Sequence, residues 1–383
     1  MHIFVPREGK PGERRVAIVA DVVSKYVRAG FSVAVESGAG EHAQADDAAL
    51  TAAGATIVTA SGISSADVIL SVNPLTPEQF ASVKKGAITI SFLAPNQSLD
   101  SISAAAKAGA TAFSLELVPR ISRAQSMDAL TSQALCAGYR AALVAAELSP
   151  RFFPLLMTAA GTVTPANVVV LGAGVAGLQA IATARRLGAV VSAYDVRPAS
   201  ADEVRSMGAT FIDLKLEALE GAGGYAREMT EERAAKQREL LTPYLASADV
   251  VITTAAVPGR PAPRLVTEEM VAAMKEGAVV VDLAAESGGN VAGAKPGEIV
   301  EKSGVRIWGG KDVPSQLPFH ASQLFAKNCM NLLMLMVKNE EGKSSLHLDF
   351  EDEIIAASAV THHGEVRHEG AKAALSSASG GAQ

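Results

Sequence analysis

The sequence predicts an α/β protein of two Rossmann-like αβα domains, with parallel sheets and an interdomain cleft. Three observations predict it. The chain has 383 residues, more than one ordinary core accommodates. It is 49% hydrophobic, 19% charged and only 4% aromatic, the profile of an Ala-, Val- and Gly-rich α/β protein. One local pattern also recurs: a helical stretch ends in Gly, and a short apolar or β-branched run follows. It occurs at Gly30, Gly54, Gly86, Gly109, Gly188, Gly208, Gly277 and Gly304. Gly at the helix C′ position takes the left-handed conformation at little cost. The run after it reads as a strand buried on both faces, and repeated helix–Gly–strand units imply parallel sheets covered by helices.

The units fall into two groups, residues 1–117 and 168–308. Helix candidates at 126–148 and 320–337 carry the chain from one to the other and back. The expected domains are therefore 1–127 with 318–383, and 128–317. The last residues, AALSSASGGAQ, are small and polar and are expected to be disordered. A ligand cleft is expected at the carboxyl ends of the strands, between the domains.

Composition excludes several classes of partner. The net charge is −6 and no Lys/Arg block stands out, so nucleic acid is not an expected partner. Cys136 and Cys329 have no CxxC or Cys/His neighbours, which fits a reducing, cytoplasmic compartment and no metal site. Pro6, Arg7 and Glu8 interrupt the N-terminus too early for a signal peptide. No apolar run reaches the ~18 residues of a span. The apolar stretch 141–163 contains Glu147 and Arg151 and reads as a buried helix and loop, so no direct membrane insertion is expected.

One motif carries chemistry. VVVLGAGVAGLQAIATARRLGAVVSAYDVR holds Gly172-x-Gly174-x-x-Gly177 after a strand (168–171) and at the start of a helix (178–187). A second strand (190–194) then ends in Asp195. A GxGxxG alone is weak, but in this context it is a strong dinucleotide signature. Gly172 permits the tight turn, Gly174 lets the backbone approach the pyrophosphate, and Gly177 lets helix and strand pack closely. Ala173, Val175 and Ala176 complete the loop at the positive helix terminus. Asp195 can accept both adenosine ribose hydroxyl protons and would repel a 2′-phosphate, favouring NAD(H) over NADP(H). Val196 and Arg197 follow it, and Arg197 softens that preference. Thr254, Ala255 and Ala256 lie just past another strand, where small residues leave room for adenosine. Residues 282–286 end a further strand in the same way.

With this fingerprint placed, the chain resembles the NAD(H)-binding component of proton-translocating nicotinamide nucleotide transhydrogenase over nearly its whole length. The resemblance rests on GERRVAI (12–18), PRISRAQSMDALTSQ (119–133), AGYRA (137–141), the fingerprint region, GAGGYAREM (221–229), PGRPAP (258–263), LVTEEM (265–270) and LFAKN (324–328). PRISRAQSMD is the most specific of these. The fold is shared with alanine dehydrogenase. The resemblance implies that the segment Arg120, Ile121, Ser122, Gln125, Ser126, Met127, Asp128 and Thr131 meets the nicotinamide end of NAD(H), with Arg120, Gln125 and Asp128 in the catalytic role. A guanidinium can orient the carboxamide oxygen and a carboxylate can accept its NH₂. It further implies a loop closing over the nucleotide, with Gly224 in its hinge and Tyr225 at its tip, and a contact from Gln237.

The same resemblance separates two activities. In alanine dehydrogenase the oxo-acid site uses an arginine at the position of Arg15, a lysine at that of Asn73 and a histidine at that of Ala94. Asn73 is neither base nor cation, and Ala94 has no functional group. Hydride exchange between two nicotinamides needs neither. The chain has one dinucleotide fingerprint, so NADP(H) is expected on a partner. The implied assembly is a homodimer with an NADP(H)-binding beta subunit and a membrane-spanning alpha-2-type subunit, peripheral on the cytoplasmic face of the membrane. Arg15 is then expected to be a structural ion-pair residue. The competing functions are a stand-alone alanine dehydrogenase-like enzyme and a non-catalytic NAD(H) sensor.

Overall fold

The structure is a computed structural model that describes residues 1–216, 230–256, 260–340 and 343–380. The chain divides into two compact units, Met1–Gln133 with Ser315–Gln383, and Ala134–Pro314. These bounds differ by a few residues from those expected from sequence, because Ala129 is already part of the first unit's core.

The first unit is built on β1 (His2–Val5), β2 (Ser32–Glu36), β3 (Thr56–Val58), β4 (Val68–Leu70), β5 (Ile88–Ser91) and β6 (Thr111–Ser114). They form a parallel sheet in the order β3-β2-β1-β4-β5-β6. Helices α1 (Ala20–Arg28), α2 (Asp47–Ala52), α3 (Pro77–Phe80) and α4 (Leu99–Lys107) alternate with the strands. Strand side chains alternate between faces: Ile3 and Val5 enter one core with Val22 and Tyr26, and Phe4 enters the other with Ile69 and Phe80. Helix starts carry their own signals, as at Thr76, whose hydroxyl and Gln79 form a capping box around Pro77.

Helix α5 (Ala129–Leu148) runs from the first unit into the second. The second unit opens with a hairpin, β7 (Leu156–Thr158) and β8 (Gly161–Val163). Its main sheet holds β9 (Asn167–Leu171), β10 (Val190–Tyr194), β11 (Thr210–Phe211), β12 (Val250–Thr253), β13 (Val279–Asp282), β14 (Ile299–Lys302) and β15 (Val305–Gly309). The order is β11-β10-β9-β12-β13-β15-β14. Helices α6 (Val175–Arg186), α7 (Ser200–Ser206), α8 (Glu231–Ser247) and α9 (Glu268–Ala272) connect the strands. Val168 and Val170 enter one core, Val169 and Leu171 the other. The chain then returns through α10 (Pro318–Leu335), α11 (Glu353–Ser358) and α12 (Glu369–Gly380).

All eight expected glycines have positive φ, and a strand follows each. Gly304 is a correction: it ends a strand rather than a helix, because Ser303 (φ 50°) and Gly304 (φ 73°) form a two-residue hairpin turn that pairs β14 antiparallel to β15. The stretch 141–163 is not wholly buried either. Met157 on β7 is 78% exposed. The tail expected to be disordered is helical to Gly380, since alanine favours helix and Ala371 is fully buried with Leu375 packed beside it.

Candidate functional site

In the second unit the fingerprint loop joins β9 to α6, and its three glycines differ in their surroundings. Gly172 has φ 102° and its Cβ would lie 2.6 Å from Thr254 Oγ1. That hydroxyl donates to the Gly172 carbonyl at 3.1 Å. A Cβ on Gly177 would lie 1.9 Å from the same carbonyl oxygen. Gly174 is exposed, is the N-cap of α6 without a side-chain cap, and a Cβ there would meet nothing within 4 Å. Two glycines thus close the backbone on itself, and the third leaves open space in front of uncapped helix N–H groups. This is the shape and polarity that a pyrophosphate requires, so the loop fits a dinucleotide. Gly138 on α5 supports it from behind, where a Cβ would lie 2.0 Å from the Ala176 carbonyl oxygen. Nothing local in AGYRA announces that contact.

Asp195 follows β10, and its carboxylate ties the loop to the strand. Its Oδ2 accepts from the Ala173 N–H at 2.7 Å and from Arg197 Nη2 at 3.1 Å. Its Oδ1 accepts from the Arg197 backbone N–H and Nε, both at 2.9 Å. A cavity of 160 Å³ opens beside it, lined among others by Val196, Pro198, Ile212 and Leu214. Gln237, expected at the cofactor, is 1% exposed, and its side-chain carbonyl accepts from the Tyr194 hydroxyl at 3.0 Å. Burial pushes the Tyr194 phenol up to about 12. Gly224 and Tyr225 lie outside the described residues.

At the ends of β12 and β13, Ala255 is half-buried and Ala256 exposed. Sequence reasoning missed the residue that positions them. Asn290, fully buried, accepts from the Ala255 N–H at 3.1 Å and donates to the Ala255 and Pro263 carbonyls at 2.8 Å each. Within 282–286, the strand end expected near the cofactor, Asp282 is completely buried. It accepts from the Thr253 hydroxyl, Ala284 N–H and Val291 N–H. Burial raises its pKa despite these bonds.

The segment implied for the nicotinamide lies in the first unit. Arg120, Ser122, Gln125 and Ser126 are exposed, Ile121 is half-buried, and Met127 is buried. Residues 122–127 form a 3₁₀ turn, and the long helix, expected from 126, begins at Ala129. Asp128 caps α5, its oxygens accepting from the Thr131 N–H at 2.9 Å and hydroxyl at 2.6 Å. Two fastenings were not legible. Arg123 makes a paired contact with Asp352 at 2.6 and 3.2 Å. Asn328 and Asn331, on α10, both donate to the Ser126 carbonyl at 2.9 Å.

Arg15, Asn73 and Ala94, the positions expected to separate the two activities, are also in the first unit. Arg15 Nε and Nη2 donate to the two oxygens of Glu13 at 2.8 and 2.7 Å, and Nη1 donates to Gln133 at 2.8 Å. Asn73 Nδ2 donates to Glu8 at 2.9 Å and Glu13 at 3.1 Å. Ser315 also donates to Glu13, at 2.5 Å. Ala94 sits at φ 44°, its N–H held by Glu116 at 2.9 Å. Burial pushes Glu8 up to about 6, against hydrogen bonds from Asn73 and Val72. Burial acts the same way on Glu13, but the Arg15 guanidinium outweighs it and brings that carboxyl down to about 2.

The Glu8 value has a consequence for stability. A carboxyl whose folded pKa exceeds its unfolded value of 4.5 binds its proton more tightly in the native state. Its contribution is therefore full below 4.5 and lost as pH rises through about 6. Glu8→Gln should remove this slope. Urea midpoints of the two proteins should diverge between pH 4.5 and 6, and parallel curves would refute the assignment.

A doubly wound sheet with a phosphate-shaped glycine loop and an acidic residue ending the next strand defines a nicotinamide-nucleotide-binding protein of the dehydrogenase type. Comparison with known proteins narrows this. Residues 4–137 match the family model "Alanine dehydrogenase/PNT, N-terminal domain", and residues 141–369 match "Alanine dehydrogenase/PNT, C-terminal domain". The chain belongs to the alanine dehydrogenase/PNT family. An NAD(P) transhydrogenase alpha-subunit chain of Rhodospirillum rubrum is 50% identical, over 96% of this chain and 98% of that one. Among solved structures, transhydrogenase from Sinorhizobium meliloti matches with TM-score 0.84 and 45% identity, covering 96% of this chain and 99% of that one. An L-alanine dehydrogenase matches with TM-score 0.81 and 25% identity, over 98% and 99%. Among the described residues, no helix is long and apolar enough to cross a membrane, and no cluster of potential metal ligands occurs.

Proposed function

We propose that this chain is the NAD(H)-binding component of a proton-translocating transhydrogenase. A hydride passes directly between NAD(H) held here and NADP(H) on a partner subunit, and membrane subunits couple that transfer to proton movement. The observation that carries this reading is the Glu13–Arg15–Asn73 network. Each nitrogen at the end of the Arg15 side chain already donates within the chain, and both amide hydrogens of Asn73 go to carboxylates. An oxo-acid carboxylate would meet at Arg15 a cation already paired with Glu13, no cation at Asn73, and no proton donor at Ala94. Hydride exchange between nicotinamides needs only that the rings be held face to face, with reacting carbons ~3–3.5 Å apart.

Bound NAD(H) would supply the hydride donor or acceptor. The chain's own residues do the rest. Uncapped N–H groups of α6 receive the pyrophosphate, Asp195 receives the adenosine ribose, and the cavity beside it, with Val196, Pro198, Ile212 and Leu214 in its mixed polar and apolar lining, receives adenine. Arg120, Gln125 and Asp128 orient the nicotinamide, with the Asp128 carboxylate also held by Thr131. The implied assembly is a homodimer bearing a beta subunit that binds NADP(H) and a membrane-spanning alpha-2-type subunit, peripheral on the cytoplasmic face of the membrane. The exposure of Phe152 (61%), Leu155 (55%) and Met157 (78%) supports a protein-covered surface around β7.

Gln125 provides the test. Gln125→Asn shortens an exposed side chain without touching the core. It should slow hydride transfer to a partner's NADP⁺ by up to about 10²-fold, the cost of a misplacement of about 1 Å, with little change in NADH affinity. Equal losses in rate and affinity would contradict a positioning role.

A further inference from the structure

We propose that Asn328 and Asn331 on α10 are positioning residues for hydride transfer, acting by fixing the Ser126 carbonyl and through it the neighbouring Gln125 side chain. This rests on the reading of Gln125 and Asp128 as residues that orient the nicotinamide. The two asparagines are three residues apart in NCMN (328–331), a spacing that makes them neighbours on one helix face. Phe325, Cys329, Leu332 and Leu333 on the adjoining face are fully buried in the first unit's core and set the rotation of α10. Asn328, next to that face, is 7% exposed, and Asn331, further round, is half-buried.

Their target is the 3₁₀ turn of residues 122–127, whose hydrogen-bond geometry is poorer than that of an α-helix. Ala124 and Met127 enter the same core, while Gln125 and Ser126 between them are exposed. Apolar packing thus anchors the residues on either side of this pair but not the peptide that joins them to Met127. The asparagines supply that anchor. The Ser126 carbonyl accepts from Nδ2 of each at 2.9 Å, which fills both of its lone pairs.

Asn328 does more. Its Oδ1 accepts from the Ser132 hydroxyl on α5 at 2.7 Å. The amide orientation is fixed, because a backbone carbonyl can only accept and must therefore face Nδ2. One buried side chain thus bridges the chain on both sides of Asp128, from Ser126 to Ser132. The Arg123–Asp352 contact ties the same turn from α11, but the Arg123 side chain is 47% exposed, so water and salt screen it. Hydride transfer is steep in distance, and a misplacement of about 1 Å costs about 10²-fold. A two-donor hold beside Gln125 supplies that precision without touching the nucleotide.

The test uses the full chain with Asn328→Leu, Asn331→Leu and the double variant, which leaves the Ser126 carbonyl neither amide. Leucine is close to asparagine in size and favours helix, and thermal melts report that each protein is folded. Hydride transfer to a partner's NADP⁺ should slow about three- to tenfold in each single variant and about 10²-fold in the double, with NADH affinity within about twofold of wild type. Adding Gln125→Asn to the double variant should cost far less than Gln125→Asn alone, since both then misplace the same side chain. Amide hydrogen exchange over residues 122–128 reads the hold independently of activity. The double variant should speed it at least about tenfold there and leave the Gly172 loop unchanged. Unchanged transfer, equal losses in rate and affinity, a full additional cost of Gln125→Asn, or unchanged exchange each overturns the proposal. If the double variant does not fold, the single variants decide by the same criteria. Failure of the wild type to transfer hydride would overturn the proposed function instead, and exchange alone would then decide whether the asparagines hold the segment.

Discussion

Glu13→Ala is expected to destabilise the protein by about 3 to 5 kcal/mol, the cost of leaving a buried cation without its partner. The Arg15 side chain is 9% exposed and that of Glu13 fully buried, with the guanidinium 2.7 Å from the carboxylate. Removing the carboxylate also strands Ser315 and one amide hydrogen of Asn73. Urea unfolding followed by circular dichroism measures the loss. Replacing both members, Glu13→Leu with Arg15→Met, should recover much of it, because burying neither charge is less costly than burying one. A small effect of Glu13→Ala would mean that Arg15 is available to a substrate after all. The pH sign follows from the lowered carboxyl. Its folded pKa of about 2 lies below the unfolded 4.5. Its contribution is therefore present above 4.5 and lost as pH falls towards 2, opposite in sign to that of Glu8.

The second large effect is a contrast between two glycines three residues apart. Gly177→Ala places a Cβ 1.9 Å from the Gly172 oxygen and 2.8 Å from its carbonyl carbon. Both neighbours are backbone, so no side-chain tip can yield. The expected cost is about 1–3 kcal/mol or more, with NADH binding lost as the loop shifts. Trp308, the sole tryptophan of the sequence, lies on β15 in the same unit and reports that unfolding by fluorescence. Gly174→Ala puts its Cβ into open space at φ −75°, a conformation alanine adopts freely. Stability should change by less than about 1 kcal/mol, the N-cap preference of glycine over alanine. NADH should nevertheless bind at least about tenfold more weakly, as expected for losing one hydrogen bond to a charged phosphate. Equal stability losses at the two positions would show that Gly174 is a packing residue and not a place of ligand approach.

The alternation of helix and strand was legible because its punctuation is local. A glycine in the left-handed region followed by a β-branched run is visible in a few residues. The same signal misreads Gly304, since a two-residue hairpin turn also wants positive φ. Composition misreads the tail after Ala371, where small residues suggested disorder although alanine is the strongest helix former. Asp128 carried a readable local signal, an acidic N-cap three residues before Thr131. The Glu13–Arg15–Gln133–Ser315 network and the Asn290 clamp were not legible. Glu13 and Arg15 are two residues apart, but Gln133, Ser315 and the partners of Asn290 lie tens to hundreds of residues from the groups they bond, and only the fold brings them within hydrogen-bond range. The pairing of Asp195 with Arg197 is different, because two residues of separation made it readable as charge but not as saturation of the carboxylate.

The central claim is that the nicotinamide held by this chain faces another nicotinamide and not a small oxo-acid. Stopped-flow measurement of NADH oxidation tests it most directly. Mixed with an isolated NADP⁺-loaded partner domain, the chain should transfer hydride in a single rapid phase. Mixed with pyruvate and ammonia at any concentration, the chain alone should oxidise no NADH. Turnover with pyruvate and ammonia, and none with the NADP⁺-loaded partner, would contradict the account.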